Sequence, residues 1–106
     1  MSDLETDFEN LASDVRALIG LLEEAGETYW ATAMSRGLGR VEARHLAGAT
    51  YILGCYGGVD TFSDLVIGAR FSESEPLRYR NLNARLTHLR NRTFDSANAI
   101  AARRNW

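Results

Sequence analysis

Apolar residues at Leu4, Phe8, Leu11, Val15, Leu18 and Leu22 step by 4-3-4-3-4, and this spacing constrains the chain more than any other feature. Only a helix brings residues three and four apart onto one face, so the spacing predicts an amphipathic helix with a single buried seam. Gly26 follows as the expected C′ residue, where tolerance of positive φ ends a helix. A second long helix is predicted over about Leu77–Arg103, with Leu82, Leu86, Leu89, Ala97 and Ile100 as its buried stripe and Pro76 in its first turn.

Two further helices are expected between these. One covers 28–36, carries Tyr29, Trp30, Ala33 and Met34, and breaks at Gly37-Leu38-Gly39. The other runs from about Val41 to Tyr56. It is apolar on all sides after His45, which places it in the middle of a bundle, with Gly48 and Gly54 allowing close approach of its neighbours. Gly57-Gly58 stops it. Thr61-Phe62-Ser63-Asp64 then matches a capping box and predicts a short helix over Phe62–Ile67, closed by Gly68. Leu65-Val66-Ile67 also reads as a strand, but no partner strand accompanies it. The expected fold is an all-α single domain over residues 1–106: a small bundle of four main helices plus one short helix after the Gly-Gly turn.

Composition agrees with one core. The chain has 106 residues, 45% hydrophobic and 25% charged, with one proline and nine glycines, which excludes collagen-like or extensively disordered chains. No apolar run approaches the roughly 18 residues of a membrane span, and Met1–Asn10 is acidic rather than signal-like. The lone Cys55 excludes an internal disulfide. A cytoplasmic protein without membrane contact is expected.

Charge is segregated along the chain. Residues 1–27 carry −7, residues 28–75 carry −1 and residues 76–106 carry +6, and all twelve basic residues are arginine. On the last helix Arg78, Arg85 and Arg92 recur every seven residues, and Arg103 falls close to their line. Asp3, Asp7 and Asp14 flank the seam of the first helix in the same manner. If the two helices pack side by side, acids face arginines across the groove, in one chain or between two copies. The stripe also suits a nucleic-acid backbone, although a pI of 5.6 and the lack of a helix-turn-helix pattern oppose that use.

Candidate chemistry is sparse. His45, His88, Asp60 and Asp64 are the residues available for a metal site or an acid–base pair, and none has ligand spacing. Cys55 lies in the most apolar stretch and is expected to be a buried small hydrophobe rather than a nucleophile. Gly57-Gly58 before a helix start resembles an anion-cradling loop, but Asp60 and Asp64 would repel a phosphate. Trp30 is expected in the core, and Trp106 exposed or against another copy. No catalytic residue, metal ligand or cofactor is assigned.

The run Tyr56-Gly57-Gly58-Val59-Asp60-Thr61-Phe62-Ser63-Asp64-Leu65, with Trp30 upstream and Asn83-Ala84-Arg85-Leu86 downstream, resembles an uncharacterised family of small bacterial proteins. The family pattern is roughly Tyr-Gly-Gly-Met-Gly-Ser-Phe-Asn-Asp-Leu. Val59, Asp60, Thr61 and Ser63 depart from it here, keeping the turn but weakening any anion site. The resemblance spans about Phe8 to Ala101. It implies a helical fold and a bacterial origin, and it carries no activity.

The leading expectation is a non-catalytic protein-binding module of the immunity- or antitoxin-protein kind. Its protein partner would be met through the acidic first helix (Asp3, Asp7, Asp14) or the turn with Gly57, Gly58, Asp60 and Asp64. The second is a small ligand-binding or enzymatic domain using that turn, with His45 or His88 beside it. The third is a nucleic-acid binder using Arg78, Arg85, Arg92 and Arg103. A homodimer is compatible with all three.

Overall fold

Helix α1 (Leu4–Glu24) forms where the seam requires it. In the computed structural model, which describes residues 3–57 and 61–103, Asp3 is its N-cap. The Asp3 carboxylate accepts from the Thr6 amide at 2.8 Å, satisfying one of the donors left open at a helix start. Phe8, Leu11, Val15, Leu18 and Leu22 are buried, whereas Leu4 in the first turn is 40% exposed. At the other end Gly26 has φ +79°, the Glu27 amide donates to the Leu22 carbonyl and the Gly26 amide to that of Glu23, which together make a Schellman motif.

Helix α2 (Thr28–Glu42) does not stop at Gly37 as expected; it continues through Gly37 and Gly39. Gly37 serves packing instead, since a Cβ there would collide with Ile52 Cδ1 and lie 3.0 Å from Tyr51 Cδ1. Arg44, at φ +62°, ends the helix. Its amide donates to the Val41 carbonyl and that of His45 to the Arg40 carbonyl, a Schellman motif with arginine in the position glycine usually fills. Hence the third helix, α3 (Leu46–Gly54), begins five residues later than the expected Val41 and ends two before Tyr56. Gly48 permits the tight corner, because a Cβ there would sit 2.8 Å from the Val41 nitrogen. Gly54 meets open space and has no such role.

The expected central position of the third helix is also corrected. With nine residues and small side chains, α3 buries Gly48, Ala49 and Ile52 and packs on α2 and on α4 (Pro76–Arg103). Each of the four helices packs on two others in a ring, and α1, between α2 and α4, buries more residues than any other helix. Leu82, Leu86, Ala97 and Ile100 of α4 are buried as expected, joined by Thr93, and Leu89 is half-buried.

The expected helix over Phe62–Ile67 is a single 3-10 turn at Phe62–Asp64 followed by extended backbone. The Thr61 side chain does not cap the turn; its hydroxyl meets that of Ser63 at 3.1 Å. A second 3-10 turn, Ala69–Phe71, follows Gly68, whose φ of +69° favours glycine and where a Cβ would sit 2.8 Å from Leu82 Cδ1. No strand occurs among the described residues, yet the extended segment has a partner. The Asn83 side chain accepts from the Ile67 amide at 2.9 Å and donates to the Ile67 carbonyl at 2.8 Å, pairing both backbone groups as a neighbouring strand would. Arg90 donates to the carbonyls of Phe62 and Leu65, and the Tyr56 hydroxyl donates to the Arg90 carbonyl at 2.7 Å. Two α4 residues, Asn83 and Arg90, thus hold the connector down while Phe62 and Ile67 fill the core.

Candidate functional site

The acidic and basic stripes meet each other. Arg103 Nε lies 2.7 Å from Asp7, Arg92 lies 3.3 Å from Asp14, and Arg85 makes a two-pronged contact with Glu24 at 3.0 and 3.2 Å. The order of these pairs makes α4 antiparallel to α1. Asp7 and Asp14 are buried in the groove, where Ser96 Oγ also donates to Asp14 at 2.6 Å, while Asp3 is occupied as a cap. Arg78 pairs with Glu75 at 3.6 Å and stacks on the Phe71 ring. Hydrogen bonding to Arg85 holds the Glu24 carboxyl below its ordinary range, and hydrogen bonding to Arg44 does the same for Glu5. The Arg85–Glu24 and Arg44–Glu5 pairs are exposed and individually weak, so they set how the elements align more than their stability.

The turn is a different matter. Gly57 and Asp64 are exposed there; Gly58 and Asp60 lie outside the described residues, as does Trp106. His45 stands exposed at the α2–α3 corner and His88 exposed on α4. Among the described residues no group of three or more His, Cys, Asp or Glu is placed to hold a metal ion. Trp30 is half-buried rather than fully in the core. It is a link in a chain of rings Tyr29–Trp30–Phe62–Tyr56–Phe94, with centroids 5.1 to 5.4 Å apart. Burial pushes the Tyr56 phenol far above its ordinary value, which keeps it a donor to Arg90. Cys55 is half-buried, not fully buried as expected. Desolvation raises its thiol, so it stays protonated and a poor nucleophile.

Around Trp30 the surface opens into a shallow groove. A cleft of about 410 Å³ has Tyr29, Trp30, Ala33, Tyr51, Cys55 and Thr61 in its walls. It shares Trp30 and Thr61 with a smaller cleft bordered by Asp64, Leu65 and Val66. It shares Tyr29, Ala33 and Tyr51 with another bordered by Thr28, Thr32 and Arg36. Tyr29 is 74% exposed and Val66 55%, a large apolar exposure beside a half-buried tryptophan. Beyond Arg36, Arg40 lies over the Tyr51 ring at 4.9 Å.

Neither Arg36, Arg40 nor Tyr51 stood out in the sequence. Tyr29, Ala33, Arg36 and Arg40 step by 4-3-4, a pattern visible only when α2 is allowed to run through Gly37.

The described residues define an all-helical protein with a groove between two helices and no assembled catalytic group. The model of a family described as a domain of unknown function (DUF6966) matches residues 23–71, a stretch narrower than the Phe8–Ala101 span of the expected resemblance. That stretch contains α2, α3, the turn and every residue named in the walls of the groove. No curated protein and no solved structure matches the chain. No helix among the described residues is long and apolar enough to cross a membrane.

Proposed function

We propose that this chain is a non-catalytic protein-binding module that docks a partner on the α2–α3 face around Tyr29, Trp30 and Tyr51. The observation that carries the reading is Tyr29, 74% exposed at the mouth of a groove whose wall is a half-buried tryptophan. Aromatic anchors with a polar tip are the side chains that dominate protein interfaces. The alternative surfaces offer less. The carboxylates of Asp7 and Asp14 face inward, and Arg85, Arg92 and Arg103 already hold carboxylates of α1. A nucleic acid would have to displace those contacts to use the stripe.

The test is a photo-reactive phenylalanine analogue placed at Tyr29 or, as a control, at exposed Asn98 on α4, with crosslinking in cells of the source. One protein captured from position 29 and absent from position 98 is expected. Capture from position 98 alone, or equally from both, would refute the α2–α3 face.

A further inference from the structure

Most of the described arginines are spoken for. Of those described, six hold carboxylates, and Arg70 and Arg90 donate to backbone carbonyls. Arg36, Arg40 and Arg80 have neither a carboxylate nor a carbonyl partner among the described residues; Arg80 lies on α4, whereas Arg36 and Arg40 stand one helical turn apart on the exposed side of α2. Like charges at this spacing repel. Arg40 gains from the α2 C-terminus, where a cation is favoured, but Arg36 sits a turn earlier. The acid nearest in α2, Glu42, is already bound to Arg16 at 2.6 Å. Arg40 thus lies over the Tyr51 ring and Arg36 lines the cleft that Tyr51 also borders, neither with a carboxylate partner among the described residues, at one end of an aromatic groove.

We propose that this face takes an acidic amphipathic helix of a partner protein, its carboxylates on Arg36 and Arg40 and its apolar side in the groove between Tyr29 and Tyr51. The inference rests on the docking reading above and adds the chemistry of the partner. Four residues of helix place Arg36 and Arg40 about 6 Å apart along α2, so acids at i and i+4 of a second helix match both. The groove runs between two helices, with small Ala33 and Gly54 in its walls, the usual seat of a helix-in-groove contact. Two cations on a chain of net charge −2 are too few for phosphate-driven binding, which draws on several contacts at once.

A helical peptide library displayed on phage and selected against the full chain tests this. Selected peptides are titrated against the wild type, Arg36→Gln/Arg40→Gln and Tyr29→Ala, each variant first checked by circular dichroism. The expected peptides carry Asp or Glu at i and i+4 and bind both variants at least about tenfold more weakly, the loss of a charge-assisted contact or of an anchor. Peptides that need Tyr29 but bind the arginine variant unchanged would leave the docking face standing and overturn its acidic partner. If Tyr29→Ala weakens no selected peptide, the face itself is wrong and both readings fall. A labelled oligo-dT bound more tightly than any peptide, and lost in the arginine variant, would overturn the proposal in favour of nucleic acid.

Discussion

Asn83 is the side chain on which the connector after the turn depends, and removing it should cost more than any other single polar substitution here. Ile67 is fully buried, and Asn83 pairs its amide at 2.9 Å and its carbonyl at 2.8 Å. In Asn83→Ala both groups lose their partner inside the protein. An unsatisfied buried backbone group costs about 1–3 kcal/mol, so the pair sums to about 2–4 kcal/mol once some water reaches the half-buried site. The third Asn83 contact, to the Tyr79 carbonyl, adds little because that carbonyl belongs to the ladder of α4. For a domain near 100 residues the loss corresponds to roughly 10–20 °C in Tm. Urea unfolding followed by far-UV circular dichroism measures it, and a loss below about 1 kcal/mol would refute the strand-mimic role. Asn83→Asp sharpens the test. Its carboxylate accepts from the Ile67 amide but faces the Ile67 carbonyl without a proton to donate. Folding therefore raises the pKa of the introduced carboxyl above its unfolded value of about 3.9, and the favourable protonated form is lost as pH rises through the folded value. The stability gap between wild type and Asn83→Asp should narrow on acidification; a gap that widens would contradict the geometry.

Glycines on helices should separate by what surrounds them. Gly48→Ala places a Cβ 2.8 Å from the Val41 nitrogen, a backbone atom that cannot step aside, and should destabilise by about 2 kcal/mol or more, whereas Gly20→Ala meets open space and should stabilise by about 0.5–1 kcal/mol in thermal melts. Thr93 Oγ1 is buried and finds no partner among the described residues, so Thr93→Val should raise Tm or leave it unchanged; a fall of several degrees would mean the hydroxyl is bonded. Glu5 and Glu24, held below their ordinary 4.5 by hydrogen bonds to Arg44 and Arg85, contribute stability that is present above that value and lost as pH falls through the depressed one. Denaturant midpoints of Glu5→Gln/Glu24→Gln should thus fall less than those of the wild type between about pH 6 and pH 3, and the difference should shrink in high salt.

Much of the fold was legible because it is written in periodicity. The seam from Phe8 to Leu22 and the stripe from Leu82 to Ile100 need only the 3.6-residue turn, and both helices stand where the spacing puts them. The facing of acids and arginines followed from the same arithmetic, and Asp7–Arg103 and Asp14–Arg92 realise it within one chain. What failed was punctuation. Gly37 reads as a stop because glycine is flexible, but its purpose is the absent side chain that lets Ile52 approach. The real stop is Arg44 at φ +62°, and nothing in the identity of an arginine announces a left-handed backbone. Its conformation is stabilised from afar, by Nη2 on Glu5 at 2.7 Å across 39 residues. The strand-like Leu65-Val66-Ile67 was similarly ambiguous because its partner is a side chain on α4, not a strand.

The error at Gly37 also hid the candidate site, and for the same physical reason. A surface groove on a helix is read from which residues share its outer face, so ending α2 at residue 36 removes Arg40 and leaves Arg36 as a lone terminal charge. Once the helix runs to Glu42, Tyr29, Ala33, Arg36 and Arg40 line up, and α3 brings Tyr51 against them through the contact that Gly37 permits. The glycine that looked like a break is thus what closes the two helices into a groove. Filling it with a larger side chain would move α3 outward and take Tyr51 away from both arginines. On this argument Gly37→Leu should lower binding at the groove by more than its effect on Tm explains, because it separates two walls of a site without touching a ligand.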